Sequence, residues 1–202
     1  MDRSAWRAQQ QRALLRFGAG SARDRGFGWL DDRGMVRPDQ PAQLWINARM
    51  TYVFALATVH QLDVDADRSA AELAAHGVAA LTGLLRDPAH DGWFDALDDA
   101  GRSVKTSYGH AFVLLAAATA TAAGTPGAAD LFADAQRIVT DRFWDPAAGR
   151  CVEQYRADWS GLDSYRGANS NMHQCEAFLA AGTVCGDPVW HARAESIARA
   201  VI

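Results

Sequence analysis

The chain has 202 residues, 49% of them hydrophobic and 22% charged, with a formal net charge of −4. That balance suits a globular protein with a real core and gives no basis for expecting nucleic acid or an acidic membrane surface as a partner. No apolar run approaches the roughly 18 residues of a membrane span, and the N-terminal stretch lacks a signal-peptide core. The three cysteines, Cys151, Cys175 and Cys185, match no metal or redox spacing and read as reduced thiols of a cytoplasmic protein.

Residues 3–17 predict a first helix, with Trp6, Leu14 and Phe17 at its buried positions and Gly18 near its end. A long loop, Gly18 to Pro41, follows. Gln43 to Leu62 predict a helix in which Tyr52 to Val59 is apolar on nearly every side, so it belongs inside. Ser69-Ala70-Ala71-Glu72 is a capping-box pattern; it opens an amphipathic helix with Ala74, Val78, Leu81 and Leu85 on one stripe. That helix belongs outside.

The cycle repeats twice. A loop with Gly92-Trp93-Phe94-Asp95 leads to an inner helix from Lys105 to Ala123, apolar all round from Ala111 to Ala118. Gly124 ends it, and Thr125-Pro126 starts an outer helix with Leu131, Phe132, Ala135, Ile138, Val139 and Phe143 on one face. A third loop, with Phe143-Trp144-Asp145 and Gly149, precedes an inner helix from Asn171 to Val184. Gly186 closes that helix, and Asp187-Pro188 opens a last outer helix running to Ile202. Trp29, Trp93 and Trp144 mark equivalent places in the three loops, each followed by acidic residues and a glycine, which suits a small hairpin with a tight turn.

A period of loop, inner helix, short turn and outer helix implies an all-α repeat architecture, an α/α toroid. Residues 1–202 are expected to form a single domain, about half of a closed six-hairpin ring, with inner-helix surface left for a partner to cover. All long loops precede inner helices, so they share one rim, and a site is expected there.

The polar residues at that rim are the candidate site. Arg49 stands among apolar residues one turn after Trp45, and it either pairs with a buried carboxylate or meets a ligand. His173 and Glu176 share a helix face, with an ion pair from Glu176 to Arg166 or Arg49 as the structural alternative. His110 lies two positions after Tyr108, so it faces differently and either lines the pocket or supports it. Lys105, at a helix start, is expected to be solvated. Trp45 can stack on a sugar. His60, His76, His90 and His191 show no metal-ligand spacing, and no metal or cofactor is expected.

Three ordered stretches carry a resemblance: Leu44-Trp45-Ile46-Asn47-Ala48-Arg49-Met50-Thr51-Tyr52-Val53-Phe54-Ala55, Lys105-Thr106-Ser107-Tyr108-Gly109-His110-Ala111-Phe112, and Arg166 to Leu179. They resemble the N-terminal half of the N-acylglucosamine 2-epimerase superfamily, and within it most closely the bacterial D-mannose isomerases. The resemblance implies an (α/α)6 barrel and metal-free aldose–ketose isomerisation of an unphosphorylated sugar through a cis-enediol. By position, Arg49 would bond the oxygen that gathers charge, Tyr108 and Asn169 would hold hydroxyls, and His173 would contact the ring or help to open it. His110, Glu176 and Trp45 complete the expected sugar-binding set. The family's second half supplies a Pro-Gly-His-x-x-Glu-Trp motif and a later histidine, neither of which this sequence contains. The chain alone is therefore expected to be incomplete as a catalyst and to self-associate or pair with a complementary C-terminal half.

Sulfoquinovose isomerisation and sugar 2-epimerisation share much of this half and stand as alternatives, as does a non-catalytic sugar-binding or assembly fragment. Glycoside hydrolysis needs two facing carboxylates, and Asp91, Asp95 and Asp163 form no evident pair.

Overall fold

The computed structural model describes residues 2–201. The helices run as α1 (Arg3–Ala19), α2 (Leu44–Val59), α3 (Ala70–Ala79), a short α4 (Asp99–Arg102), α5 (Ser107–Ala122), α6 (Ala128–Ile138), α7 (Ala168–Cys185) and α8 (Pro188–Val201). The expected end of the last helix at Ile202 lies outside the described residues. Both α3 and α6 close on a wider π turn, Ala80–Leu84 and Val139–Phe143. None of these helices is long and apolar enough to cross a membrane.

The layers follow the expected alternation. Helix α5 packs between α2 and α7, and α3, α6 and α8 each lie against the inner helix that precedes them. The central position of α5 explains its sequence: twelve of its sixteen residues are buried, with Val113, Leu114 and the run Ala116–Ala118 fully so. Helices α2 and α7 have an inner neighbour on one side only, so each keeps apolar residues exposed, Val53 and Val59 on one and Met172 and Leu179 on the other. They are not apolar-covered all round, as the sequence suggests.

Helix α1 corrects a second expectation. Trp6, Leu14 and Phe17 are 48%, 70% and 47% exposed, and only Leu15 is buried. Leu14 and Leu15 line an open groove with Val53, Leu56 and Ala57 of α2 and are not packed tightly against it. Helix α1 meets α2 chiefly at its C-terminal end, where Gly18 lies against Met50 and Phe54.

The three loops contain less regular structure than tight hairpins. Only the third forms two paired strands, β2 (Trp144–Asp145) with β3 (Arg150–Cys151); the first keeps isolated bridges, Ala22 to Phe27 and Leu30 to Val36, and the second one from Arg86 to Trp93. In the second loop Trp93 stands after the turn and not before it. The true equivalents are Asp87-Pro88 and Asp145-Pro146. Each aspartate accepts hydrogen bonds from the two backbone amides beyond its proline, Ala89 and His90 in one loop and Ala147 and Ala148 in the other. A further strand pair joins β1 (Val104–Thr106) to β4 (Gln154–Arg156), antiparallel with Lys105 opposite Tyr155. It laces the second loop to the third.

Lys105 therefore lies in a strand, and it is fully buried rather than solvated. Its Nζ donates to Asp87 Oδ2 at 2.6 Å and to the Ala157 carbonyl, and it sits 4.8 Å from the Trp159 ring centroid. Burial lowers the Lys105 pKa. Burial would raise that of Asp87, but the bonds from Lys105, Ala89 N–H and His90 N–H together hold it below the usual carboxylate value.

Candidate functional site

Each inner helix carries the same device in its first turns. Asn47 of α2 accepts Phe27 N–H at 2.7 Å and donates to Phe27 O at 3.1 Å and to Gln43 O, one turn back, at 2.8 Å. Asn171 of α7 repeats all three bonds, with Cys151 N–H at 2.7 Å, Cys151 O at 3.1 Å and Gly167 O at 3.0 Å. In α5 the place belongs to His110, whose Nδ1 lies 2.8 Å from Thr106 O while Nε2 accepts Trp93 N–H at 3.3 Å. These three side chains pin each loop's returning strand to its own inner helix. They satisfy backbone groups that would otherwise be buried without partners.

His110 is thus an anchor and does not line the site. It is fully buried, with the rings of Phe143, Trp93 and Trp159 at 4.7, 5.4 and 5.8 Å. Burial brings its pKa down to about 3, so the ring is neutral, with the proton on Nδ1 facing the carbonyl. Both nitrogens are occupied, and neither is free for a ligand.

The anchors fix which face of each helix looks into the ring. Two residues along an α-helix turn it by about 200°, so positions two before and two after an anchor lie on the opposite face. Those positions hold Trp45 and Arg49 in α2, Tyr108 and Phe112 in α5, and Asn169 and His173 in α7. In every case the pair is one turn apart and shares a face.

Phe112 is the hub of what they form. The Arg49 guanidinium lies 4.2 Å from its ring centroid, the His173 ring 4.5 Å and the Tyr108 ring 5.0 Å, and His173 and Tyr108 meet edge-on at 5.3 Å. Arg49 also reaches the Trp45 ring at 5.7 Å. Trp45 in turn meets Trp29 edge-on at 5.3 Å and donates to Gln43 Oε1 at 3.0 Å. Arg49, Tyr108, His173 and Trp45 are therefore brought together. Asn169 stands exposed at the mouth, one turn before His173, and its side chain makes no hydrogen bond among the described residues. Glu176 is 3.2 Å from His173 Nδ1 and lies largely in solvent. Burial raises the pKa of Tyr52, and the charge of Glu176 across the opening adds to that rise.

Neither arginine–Glu176 pair forms. Arg166 is 3.7 Å from Asp145, and Arg49 has no carboxylate partner among the described residues. A half-buried guanidinium stacked on aromatic rings, with its N–H groups unclaimed, suits an oxygen-rich or anionic ligand. The amino ends of α2, α5 and α7 point to the same rim and favour negative charge there.

Phe112, Asn47 and Asn171 are structurally decisive and cannot be identified from residue type alone. Their signal is positional. Once Asn47, His110 and Asn171 are aligned, Phe112 falls in register with Arg49 and His173.

The family model for N-acylglucosamine 2-epimerase (GlcNAc 2-epimerase) matches residues 26–202. A D-mannose isomerase of Thermobifida fusca is 48% identical over 198 residues, which is 96% of this chain and 47% of that protein. A D-mannose isomerase of Pseudomonas cannabina pv. alisalensis is 44% identical over 198 residues, 98% of this chain and 47% of that protein. The crystal structure of a D-mannose isomerase superposes with a TM-score of 0.84 at 25% identity, covering 98% of this chain and 52% of that one. A cellobiose 2-epimerase from Spirochaeta thermophila gives a TM-score of 0.75 at 22% identity, over 98% and 54% of the two chains. The chain spans about half the length of these relatives and has the fold of half an (α/α)6 barrel. With most of its length inside one family's model and two relatives at nearly half identity, the chain belongs to the N-acylglucosamine 2-epimerase family.

Proposed function

We propose that this chain forms the sugar-holding side of an aldose–ketose isomerase that interconverts D-mannose and D-fructose by metal-free proton transfer through a cis-enediol. The observation that carries the reading is the unpartnered Arg49 guanidinium, held on Phe112 beside Tyr108 and His173 at the rim. The names of the relatives supply the sugar.

Moving a proton between C1 and C2 puts charge on the neighbouring oxygen, and a positioned cation stabilises the transition state more than the ground state. Arg49 takes that role. Tyr108 and Asn169 hold hydroxyls, Trp45 offers a ring face to the sugar, and Glu176 sets the orientation of His173. His173 serves as acid or base in ring opening. The main C1–C2 proton carriers belong to a complementary second half. The isolated chain turns over little sugar and self-associates through the bare sides of α1, α2 and α7. The three free thiols suit a reducing compartment such as the cytoplasm.

The test is ketose formation from D-mannose by the chain alone and after mixing with a complementary C-terminal half. Activity restored by mixing, and lost again with Arg49→Ala, is the expected result. Full conversion by the monomeric chain alone would refute the division of labour. Restored activity on cellobiose but not mannose would favour a 2-epimerase. Mannose binding without turnover in either sample would favour a sugar-binding module.

A further inference from the structure

We infer that Asp95 and Glu153 are positioning residues, a repeated acidic staple that fixes the spacing between neighbouring inner helices at the mouth of the site. The inference deepens the sugar-site reading and rests on it only for its ligand.

The two residues occupy equivalent places, each two positions after the strand residue pinned by an inner-helix anchor, Trp93 or Cys151. Each makes the same two-sided connection. The Asp95 carbonyl accepts the N–H of Leu44, first residue of α2, at 2.9 Å. Its carboxylate accepts Thr106 Oγ–H at 2.5 Å, and Thr106 is the N-cap of α5. One hairpin further on, the Glu153 carbonyl accepts the N–H of Ser107, first residue of α5, at 2.8 Å. Its carboxylate accepts Gly167 N–H at 3.0 Å and Ser170 Oγ–H at 2.7 Å, both at the start of α7. Main chain thus holds the preceding inner helix and side chain holds the following one.

An ordinary cap would bind one helix end only. Gly167, the N-cap of α7, has no side chain, and Glu153 supplies the acceptor from another segment. The helices joined in this way carry Trp45 and Arg49, Tyr108 and Phe112, and Asn169 and His173. Their aromatic contacts of 4.2–5.3 Å depend on that spacing. Gln174 adds a lock deeper between α5 and α7, donating to the Ser107 carbonyl at 3.0 Å. The carboxylates therefore act through the pocket residues and do not touch the sugar.

Amide hydrogen exchange on the full chain separates a staple from a cap. In Glu153→Ala the Ser107 amide, whose own acceptor is main chain and unchanged, should exchange about tenfold faster together with the Gly167 amide, the scale expected when a bond to a charged group is lost. Glu153→Gln, which keeps an acceptor, should restore both. Asp95→Ala and Asp95→Asn should act in the same way on Leu44 and Gly109. Titration with D-mannose, followed by tryptophan fluorescence, should show binding weakened roughly tenfold in the alanine variants and restored in the amides. An unchanged Ser107 rate in Glu153→Ala overturns the staple. Faster exchange with unchanged mannose affinity overturns its bearing on the site. A wild-type chain that binds no mannose removes the sugar reading, and the exchange results still decide the staple. If Glu153→Ala does not fold, Ser170→Ala removes one link alone and is read against the same Ser107 amide.

Discussion

His110→Asn tests the anchor assignment directly, because asparagine does the same work in the other two hairpins. In the folded chain His110 has a pKa of about 3, against 6.5 for an unperturbed histidine. Below pH 6.5 the unfolded chain takes up a proton that the folded chain refuses. Stability from this group is complete above pH 6.5 and falls as the pH drops toward 3, by about 1.4 kcal/mol per unit within the window. At pH 5 the cumulative loss is about 2 kcal/mol. Asparagine can keep the bonds to Trp93 N–H and Thr106 O but gives up the ring packed among Trp93, Phe143 and Trp159. At pH 8 the variant should be less stable by about 1–3 kcal/mol. Urea unfolding at pH 8 and pH 5 gives the gap between wild type and variant, and the other titrating groups cancel in the comparison. The gap should narrow by about 2 kcal/mol at pH 5. An equal gap at both pH values would refute a neutral, buried anchor.

Four other outcomes are expected. Asp87→Ala leaves the Lys105 ammonium buried with only a carbonyl and should cost about 3–5 kcal/mol in urea unfolding. Lys105→Met should cost less, because Asp87 keeps two backbone donors. In the chain joined to a complementary half, Arg49→Ala should lower kcat more than it raises KM, since the charge it meets develops in the transition state; steady-state kinetics reads this directly. Leu14→Ser on the exposed face of α1 should shift thermal stability by less than about 0.5 kcal/mol, while reducing any self-association measured by sedimentation.

Much of the architecture can be read from the chain because it depends on local pattern. The all-round apolar stretch Ala111–Ala118 marks α5 as the central helix, and the striped α3 and α6 mark the outer layer. Where a partner lies far away in sequence, the pattern is silent. Lys105 looks like a helix start, yet its neighbours are Tyr155 across a strand pair and Asp87 beneath it. Trp6, Leu14 and Phe17 are spaced as a buried face, but spacing shows only that a face is apolar and not that this chain covers it. The site divides in the same way. Arg49, Tyr108 and His173 stand out as polar groups opening apolar helices, and they do come together. His110 stands out equally, and only its bonds to Trp93 and Thr106 show that it faces away. Asn47 and Asn171 are ordinary in type, and their pairing with Phe27 and Cys151 exists only once each loop has folded back.

The two-sided bonds of Asp95 and Glu153 also set where this protein can be divided. The second and third long loops are each shared property of two hairpins, so a cut between Glu153 and Gly167 severs a structural joint even though the segment looks like a linker. The short turn after an inner helix carries no such obligation. At Gly124 the backbone is already left-handed, and a side chain added there would meet nothing within 4 Å. The natural building block therefore runs from an outer helix through the following loop to the next inner helix, as in α6 to α7. Shuffled or permuted barrels should be opened at the turns opposite the candidate-site rim, where new termini disturb neither the pocket nor the joints that align it.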